Sequence, residues 1–414
     1  MRYLGGYKIA LLTCSVIALS IYIAFYRIEF GNGNFQENRT GGKVSEKLFI
    51  GDDFMFMSIA EDIDRSHSLH YDYYRDSCPS AEKIIAKSIR DIYDVKPSVA
   101  PSLIRLLFHD CFIEGCDASV LLDADEAVTS EKEASPNLSL KGFDVIDAIK
   151  SELENVCPGV VSCADLLVLA AREAVIVVHL AFLTLLAGGP FYPLETGRKD
   201  SAVAFKEIAQ DQLPPPQATL SVILASFASR GFSVRETVSL FGAHSIGVTH
   251  CTFFESRLYN FSGTGKPDPD LNPRLLEELK TKCPFSVSAS SPSASPGAGL
   301  VSSLPASDSE NSYGESSGNR NDGEIDLSYN NEGGDENFGT RYYKRLMEKK
   351  GLLFSDQQLM GSEETELWVR AYASDPSLFR RDFAMSMMKL SSYHVLTGPL
   401  GQVRTTCSKV LPRN

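Results

Sequence analysis

"SLIRLLFHDCFIEGCDAS", Ser102 to Ser119, places Arg105 and His109 four residues apart in a strongly apolar run. Residues i and i+4 share one helix face, so the spacing predicts a guanidinium and an imidazole side by side. A neutral imidazole can accept a proton from a bound substrate and return it. A fixed cation beside it can stabilise negative charge that develops on a breaking bond. An isolated R-x-x-x-H is more often a half-buried helix whose polar groups find partners. A second histidine, His244 in "SLFGAHSIGVTHC", also sits among apolar residues and is expected on a helix. As a metal ligand it needs an acceptor on its other ring nitrogen, which spacing alone does not supply. His179 and His250 have no comparable setting and read as structural or incidental.

Helices must position these groups. "GFDVIDAIKSELENVCPG" carries Phe143, Ile146, Ile149 and Leu153 at helical spacing before a Pro-Gly break. "SCADLLVLAAREAV" pairs Ser162 with Asp165, and "SVRETVSLFGAHSIG" pairs Ser233 with Glu236, both capping-box arrangements. Gly231 and Gly351 read as C-terminal stops. Strand signals are few and short, so the chain from residue 69 to about 410 reads as one mainly α domain. Two stretches interrupt it. Phe285 to Asn337 is Ser/Gly/Pro/Asn-rich and acidic, and reads as a disordered loop. "IVVHLAFLTLLAGG", Ile176 to Gly189, is nearly all apolar.

The chain has 414 residues, enough for a sizeable core, and a formal charge of −13. Nine acids and one base, Arg320, fall in residues 286–336, so that stretch carries −8 of the total. No dense basic patch points to nucleic acid. At the N-terminus, Arg2 and Lys8 precede an uncharged run, Ile9 to Tyr26, with no clean cleavage site after it. Residues 1–26 therefore read equally as a signal peptide or a retained signal anchor, with the bulk of the chain non-cytosolic. Residues 27–68 are polar and aperiodic, suited to a stem. Apart from Cys14 in the apolar run, eight cysteines remain: Cys78, Cys111, Cys116, Cys157, Cys163, Cys251, Cys283 and Cys407. An even number in an oxidising compartment reads as four disulfides of open pairing. No CxxC pair supports zinc.

Taken in order, "LIRLLFHDCFIEGCDASVLLD", "GFDVIDAIKSELENVCPGVVSCADLLVLAAREAV", "LAGGPFYPLETGRKDS", "LPPP", "SLFGAHSIGVTHC", "KGLLFSDQQLM" and "VLTGPLGQVRTTC" resemble the secreted plant (class III) haem peroxidases. The resemblance covers residues 69–410 outside the two interruptions. It implies a helical fold in two lobes with haem b between them, and a monomer that reduces hydrogen peroxide and oxidises phenolic donors one electron at a time. It implies that Arg105 and His109 form the distal pair with Phe108 alongside, and that Asn137 orients His109. It makes His244 the proximal iron ligand, Asp356 its carboxylate partner, and Pro214 part of the mouth where donors dock. The implied disulfides are Cys78–Cys157, Cys111–Cys116, Cys163–Cys407 and Cys251–Cys283. The implied distal calcium rests on Asp110, Asp117 and Ser119 and on the main-chain carbonyls of Ile113 and Gly115, hard oxygens that suit the ion. A proximal calcium keeps Ser245, but alignment on the tyrosines of "NEGGDENFGTRYY" puts Asn331, Gly334 and Gly339 at its other ligand positions. That site is expected to be weakened or absent, with Asp326 and Asp335 as possible substitutes. Asn38 and Asn260 lie in glycosylation sequons. Asn137 also begins one, but is expected to face the pocket.

The match departs at the apolar addition around Ile176–Leu185 and at the long acidic loop. Translated intron sequence or a gene-model error would account for the first, and so would a helix extension. The expected setting is the secretory pathway, cell wall or apoplast, or a membrane-anchored form facing the same side. The rival from another class is a catalytically impaired, anchored homologue with a binding or structural role. A zinc hydrolase is remote, since no H-E-x-x-H or comparable ligand cluster occurs.

Overall fold

Apolar side chains at helical spacing generate the helices of the computed structural model. The described residues are 68–125, 129–181, 191–285, 323–327 and 338–412, the side chains of 179–181 excepted. Helix α1 (Ala81–Val95) buries Ala81, Ile85 and Ile89 along one stripe. Helix α2 (Val99–Cys111) carries Arg105 and His109, α3 is Phe143–Val156, and α4 is Cys163–Ala181. Both α1 and α2 pack on α4, which is apolar on nearly every side and correspondingly central. After it come α5 (Lys206–Gln212), α6 (Leu220–Ala228) and α7 (Val234–Phe241). Then α8 (Glu255–Tyr259), α9 (Pro273–Lys282), α10 (Thr340–Met347), α11 (Phe354–Gln357), α12 (Glu363–Ser374) and α13 (Pro376–Ser391) complete the α-helices among the described residues. Helix α10 packs on α12, and α7 packs on both α12 and α13. The chain is mainly helical, as its patterning predicts.

Four disulfides join Cys78–Cys157, Cys111–Cys116, Cys163–Cys407 and Cys251–Cys283. The third closes a sequence separation of 244 residues. In the chain-entropy picture such a long closure stabilises by on the order of 5 kcal/mol.

Several local expectations are corrected. Residues 323–327 fall inside the stretch read as disordered, yet Glu324–Asp326 forms strand β2 against β1 (Val248–His250), antiparallel, with Thr249 opposite Ile325. A two-stranded ribbon is marginal alone. Here Ile325 is buried with Phe254, Leu258, Leu275 and Leu279, and Cys251 N–H donates to Gly323 O. The other described limits of that stretch give no further element. Gly351 is not the stop of α10: Lys349 takes the left-handed conformation (φ 57°), and Gly351 instead gives Leu346 room. The Ser233–Glu236 capping box closes both ways. The Ser162–Asp165 one closes only halfway, through Asp165 N–H to Ser162 Oγ (3.1 Å), because the Asp165 carboxylate pairs with Arg198 (2.7 Å). Helix α4 runs on through Ala181, burying Val177 and Val178 of the apolar addition; residues 182–190 lie outside the described residues. So do Cys14, residues 1–26, Asn38 and the polar stem up to residue 67. Among the described residues no helix is long and apolar enough to cross a membrane.

Candidate active site

Helix α2 is almost wholly buried, but one stripe is not. Ser102, Arg105 and Phe108 are only half-buried, while Leu103, Ile104, Leu106 and Leu107 are covered. These positions recur at i, i+3 and i+6 and share a face with His109, so the incompletely packed side of a core helix is the one that bears the chemistry. Pro101 at its start approaches Gly247, where a Cβ would lie 2.9 Å from the proline ring. The same helix therefore comes close to the segment that holds His244. Rings continue the link: Phe108–Phe227 at 5.9 Å, Phe227–Phe241 at 5.9 Å, Phe241–His244 at 5.5 Å.

A hydrogen-bond relay sets the state of His109. The Asn137 amide donates through Nδ2 to Glu131 O (2.8 Å), which turns its Oδ1 toward His109 Nδ1, 2.6 Å away. An amide oxygen accepts, so Nδ1 carries the proton and Nε2 is the basic atom. Burial, and then the neighbouring Arg105 charge, lower the His109 pKa to about 3; the Asn137 bond opposes them. His109 is thus a neutral base at any ordinary pH. The Arg105 guanidinium donates to Ser139 O, Pro136 O and Ser139 Oγ, each at 3.1 Å. Burial lowers its pKa to about 10, leaving it a cation. The short 3-10 turns Glu131–Glu133 and Ser135–Asn137 hold this loop. Neither Glu131 nor Ser139 stood out in the sequence; their only signal is proximity to Asn137.

Below the helix end lie three buried carboxylates near enough to repel one another. Asp110 accepts from Ala118 N–H (3.0 Å) and Asp117 from Ser119 N–H (2.9 Å), while Glu131 Oε1 accepts from Phe205 N–H (2.9 Å). Burial pushes all three pKa values up: Asp117 to about 6, Glu131 to about 7, and Asp110 well above its usual range, with Asp117 and Glu131 adding repulsion. Ser119 Oγ and Glu131 Oε2 are buried without a hydrogen-bond partner. Buried hard oxygens that repel one another, two of them without a hydrogen-bond partner, have the character of a divalent-cation site. Among the described residues no three His, Cys, Asp or Glu side chains converge as a metal cluster. An ion here would rest on two carboxylates, one hydroxyl and main-chain carbonyls. The loop is tightly built, with Glu114 and Ala118 left-handed (φ 59° each) and Gly115 unable to hold a Cβ, which would meet His394 O at 2.2 Å.

His244 lies on a single 3-10 turn, Gly242–Ser245, directly after α7, not on the helix itself. Glycine at 242 lets the turn pass under Phe379 and Tyr343, 2.4 Å and 2.7 Å from where a Cβ would be. Its Nδ1 and Asp356 Oδ1 are 2.7 Å apart. Tyr342 also donates to Asp356 Oδ1 (3.0 Å), a partner the sequence reading missed although "RYY" served to align it. Asp356 lies in α11 and is buried; His244 is 39% exposed, facing a cavity with Tyr342, Arg345 and Leu352 on its wall. Ser245 Oγ donates to Gly242 O (2.7 Å) and accepts from Gly339 N–H (3.0 Å). Pro214 is half-buried at the start of a proline turn whose Pro216 O accepts from Ser355 N–H (3.0 Å), beside Asp356. Gln210, one turn before it, accepts from Ser135 N–H (2.8 Å). The turn is thereby tied to the loops of both Asn137 and Asp356. His250 sits apart in β1, 3.8 Å from Glu324.

A family model described as Peroxidase matches residues 85–375. Putative Peroxidase 48 of Arabidopsis thaliana is 78% identical over 415 residues, covering 100% of both chains. Peroxidase 28 of the same plant is 37% identical over 341 residues, 82% of this chain and 92% of its own. Peroxidase 10 is 39% identical over 343 residues, 82% and 86% respectively.

Proposed function

This chain belongs to the peroxidase family, and we propose that Arg105, His109 and Asn137 on one side, and His244 with Asp356 on the other, are the working groups of its haem. It is a plant haem peroxidase, an oxidoreductase acting on hydrogen peroxide. One observation carries the assignment of residues. Each histidine commits Nδ1 to a protein acceptor, His109 to Asn137 and His244 to Asp356, which leaves Nε2 of each without a protein partner among the described residues.

The donor set fits the group. His244 Nε2 would hold the iron, and Asp356 would fix its tautomer and make it more electron-donating. Tyr342 donates to the same Asp356 oxygen, so the carboxylate is held from a second side. Bound haem supplies the two-electron chemistry that splits the peroxide bond and then draws electrons from donors. His109 Nε2 takes the proton from one peroxide oxygen and delivers it to the oxygen that leaves as water. Arg105 is fixed by Ser139 and Pro136 with its charge intact, and stabilises the negative charge on the departing oxygen. Small phenols dock by the Pro214 turn and each surrenders one electron and one proton. All five groups are present and paired, so the impaired-homologue reading has no support in this geometry.

The pH profile tests the role of His109. The reaction with peroxide needs the neutral imidazole, and its pKa is lowered to about 3. As pH falls, the rate is expected to stay level and then drop through that value, in pH-jump mixing that outruns acid unfolding. An acid limb at the ordinary imidazole pKa, about 6.5, would remove His109 from the mechanism.

Calcium belongs at Asp110, Asp117 and Ser119 with the carbonyls of Ile113 and Gly115, where Ser119 Oγ is otherwise unpartnered. The proximal ion is another matter. At position 339 a Cβ would lie 1.9 Å from Phe379, so no carboxylate can be carried there, and the Ser245 hydroxyl is already committed twice. Asn331, Gly334 and Asp335 lie outside the described residues; Asp326 lies in β2. Ligand count then gives about one calcium per chain in metal analysis of haem-loaded protein. Two ions that survive mild chelation would contradict it. The disulfides fit passage through the secretory pathway, and we place the enzyme in the cell wall or apoplast or tethered on that side.

A further inference from the structure

A file of aromatic rings leads away from His244 toward the surface. Tyr342 lies 6.4 Å from the His244 ring, Tyr343 5.0 Å beyond it, Tyr372 a further 5.2 Å, and Trp368 5.9 Å from Tyr372. Trp368 is the chain's single tryptophan, half-buried, and its neighbour Leu367 is 61% exposed. Nothing in the mechanism above uses Tyr343, Tyr372 or Trp368.

Packing alone would explain stacked rings in a core. The hydroxyls do not follow that explanation. A phenol that gives up an electron must also give up its proton, and needs a base within reach. Tyr342 donates to the Asp356 carboxylate (3.0 Å) and Tyr372 to the Asp382 carboxylate (2.8 Å). Tyr343, between them, donates to the main-chain carbonyls of Val238 and Ser239, which cannot take a proton. Two tyrosines able to hold an oxidising equivalent therefore flank one that only bridges. At the outer end Arg235 lies 4.5 Å over the Trp368 ring and also pairs with Asp382 (2.8 Å). A cation over an indole disfavours a lasting positive charge on it, so an oxidised Trp368 must shed its proton or be refilled quickly.

We propose that Trp368 is a second electron-entry site, through which polymer-borne phenols too large for the Pro214 turn reduce the group at His244. This rests on the haem reading above. An electron passes from Trp368 to Tyr372 and inward through Tyr343 and Tyr342, and the indole N–H proton leaves to solvent. A phenol docked at Trp368 then returns one electron and one proton and becomes a phenoxyl radical. Hydrogen peroxide takes up two electrons and two protons to give two waters, so two phenols are oxidised per peroxide.

The test uses the haem-loaded full chain with two donors, free guaiacol and phenol grafted on dextran. Trp368→Phe is expected to lower kcat/KM for the dextran donor about tenfold, equivalent to roughly 1.4 kcal/mol of barrier, and to leave guaiacol within about twofold. A second readout is independent of turnover. With peroxide, no donor and a nitroso spin trap, peptide mapping should place the adduct on Trp368, and Tyr372→Phe should abolish it. A haem-loaded wild type without that adduct overturns the proposal alone. So does Trp368→Phe with both donors unchanged, or with both reduced equally, which would mark a structural role. A wild type that takes up no haem, and so lacks a Soret band, overturns the haem reading and this with it.

Discussion

Replacing His109 by Ala is expected to leave haem bound and to slow the reaction with hydrogen peroxide by on the order of 100- to 10,000-fold, the range for losing a positioned acid–base group. Binding survives because His244 and Asp356 belong to other elements, the 3-10 turn after α7 and helix α11. The rate falls because no other group near Arg105 can take the peroxide proton: Asn137 offers an amide, and Arg105 stays protonated. Truncation also leaves Asn137 Oδ1 buried and unpaired, at a cost of about 1–3 kcal/mol of stability. That cost must be separated from catalysis. Asn137→Ala provides the separation, since it removes the tautomer anchor and keeps the imidazole, so its loss of rate should be smaller. Stopped-flow absorbance on both variants measures this. His109→Ala reacting with peroxide at near wild-type speed would sink the assignment.

How much of this was legible in the sequence follows physical lines. The Arg105–His109 face is local, because i and i+4 adjoin on any helix. The helix read from its apolar stripe, α3, was equally local. What required the tertiary structure were pairings across long separations. His244 and Asp356 are 112 residues apart, and Arg105 and Ser139 are 34 apart. No periodicity encodes such contacts, and only the family resemblance proposed the first. The ordered strand in the acidic stretch was hidden for a different reason. Composition averaged over residues 285–337 is polar, but "GEIDL" carries one Ile that finds an apolar cluster and one carbonyl that finds Cys251. One buried side chain and a ladder of hydrogen bonds decide a three-residue strand, and an average cannot register them. Gly351 misled in a related way: a glycine after a helix suggests a stop, yet Lys349 met the left-handed requirement at a cost of roughly 1–2 kcal/mol.

Asp165→Ala is expected to destabilise the fold by about 3–5 kcal/mol, the cost of leaving one partner of a buried ion pair uncompensated. Asp165 and Arg198 are both fully buried. One oxygen of the carboxylate accepts from Arg198 Nη1 (2.7 Å), and the other from Tyr74 O–H (2.7 Å), Gly197 N–H (2.6 Å) and Arg198 N–H (3.1 Å). Arg198 in turn donates to Ser391 O at the end of α13, through Nε (3.0 Å) and Nη2 (2.7 Å), and to Glu195 O (2.7 Å). The pair thus fastens the turn before α1, the start of α4, the segment after it and the last helix. Those are the supports of α2, which packs on α4. Deleting the carboxylate strands a guanidinium, a phenol and two amides in the core, each with its own desolvation cost. Urea unfolding under non-reducing conditions should give an earlier midpoint with little change in slope. Replacing both partners by apolar residues, Asp165→Leu with Arg198→Met, should recover part of the loss, because no charge is then left alone. A loss below about 1 kcal/mol for Asp165→Ala, the scale of an exposed ion pair, would mean that the pair does not hold these elements together.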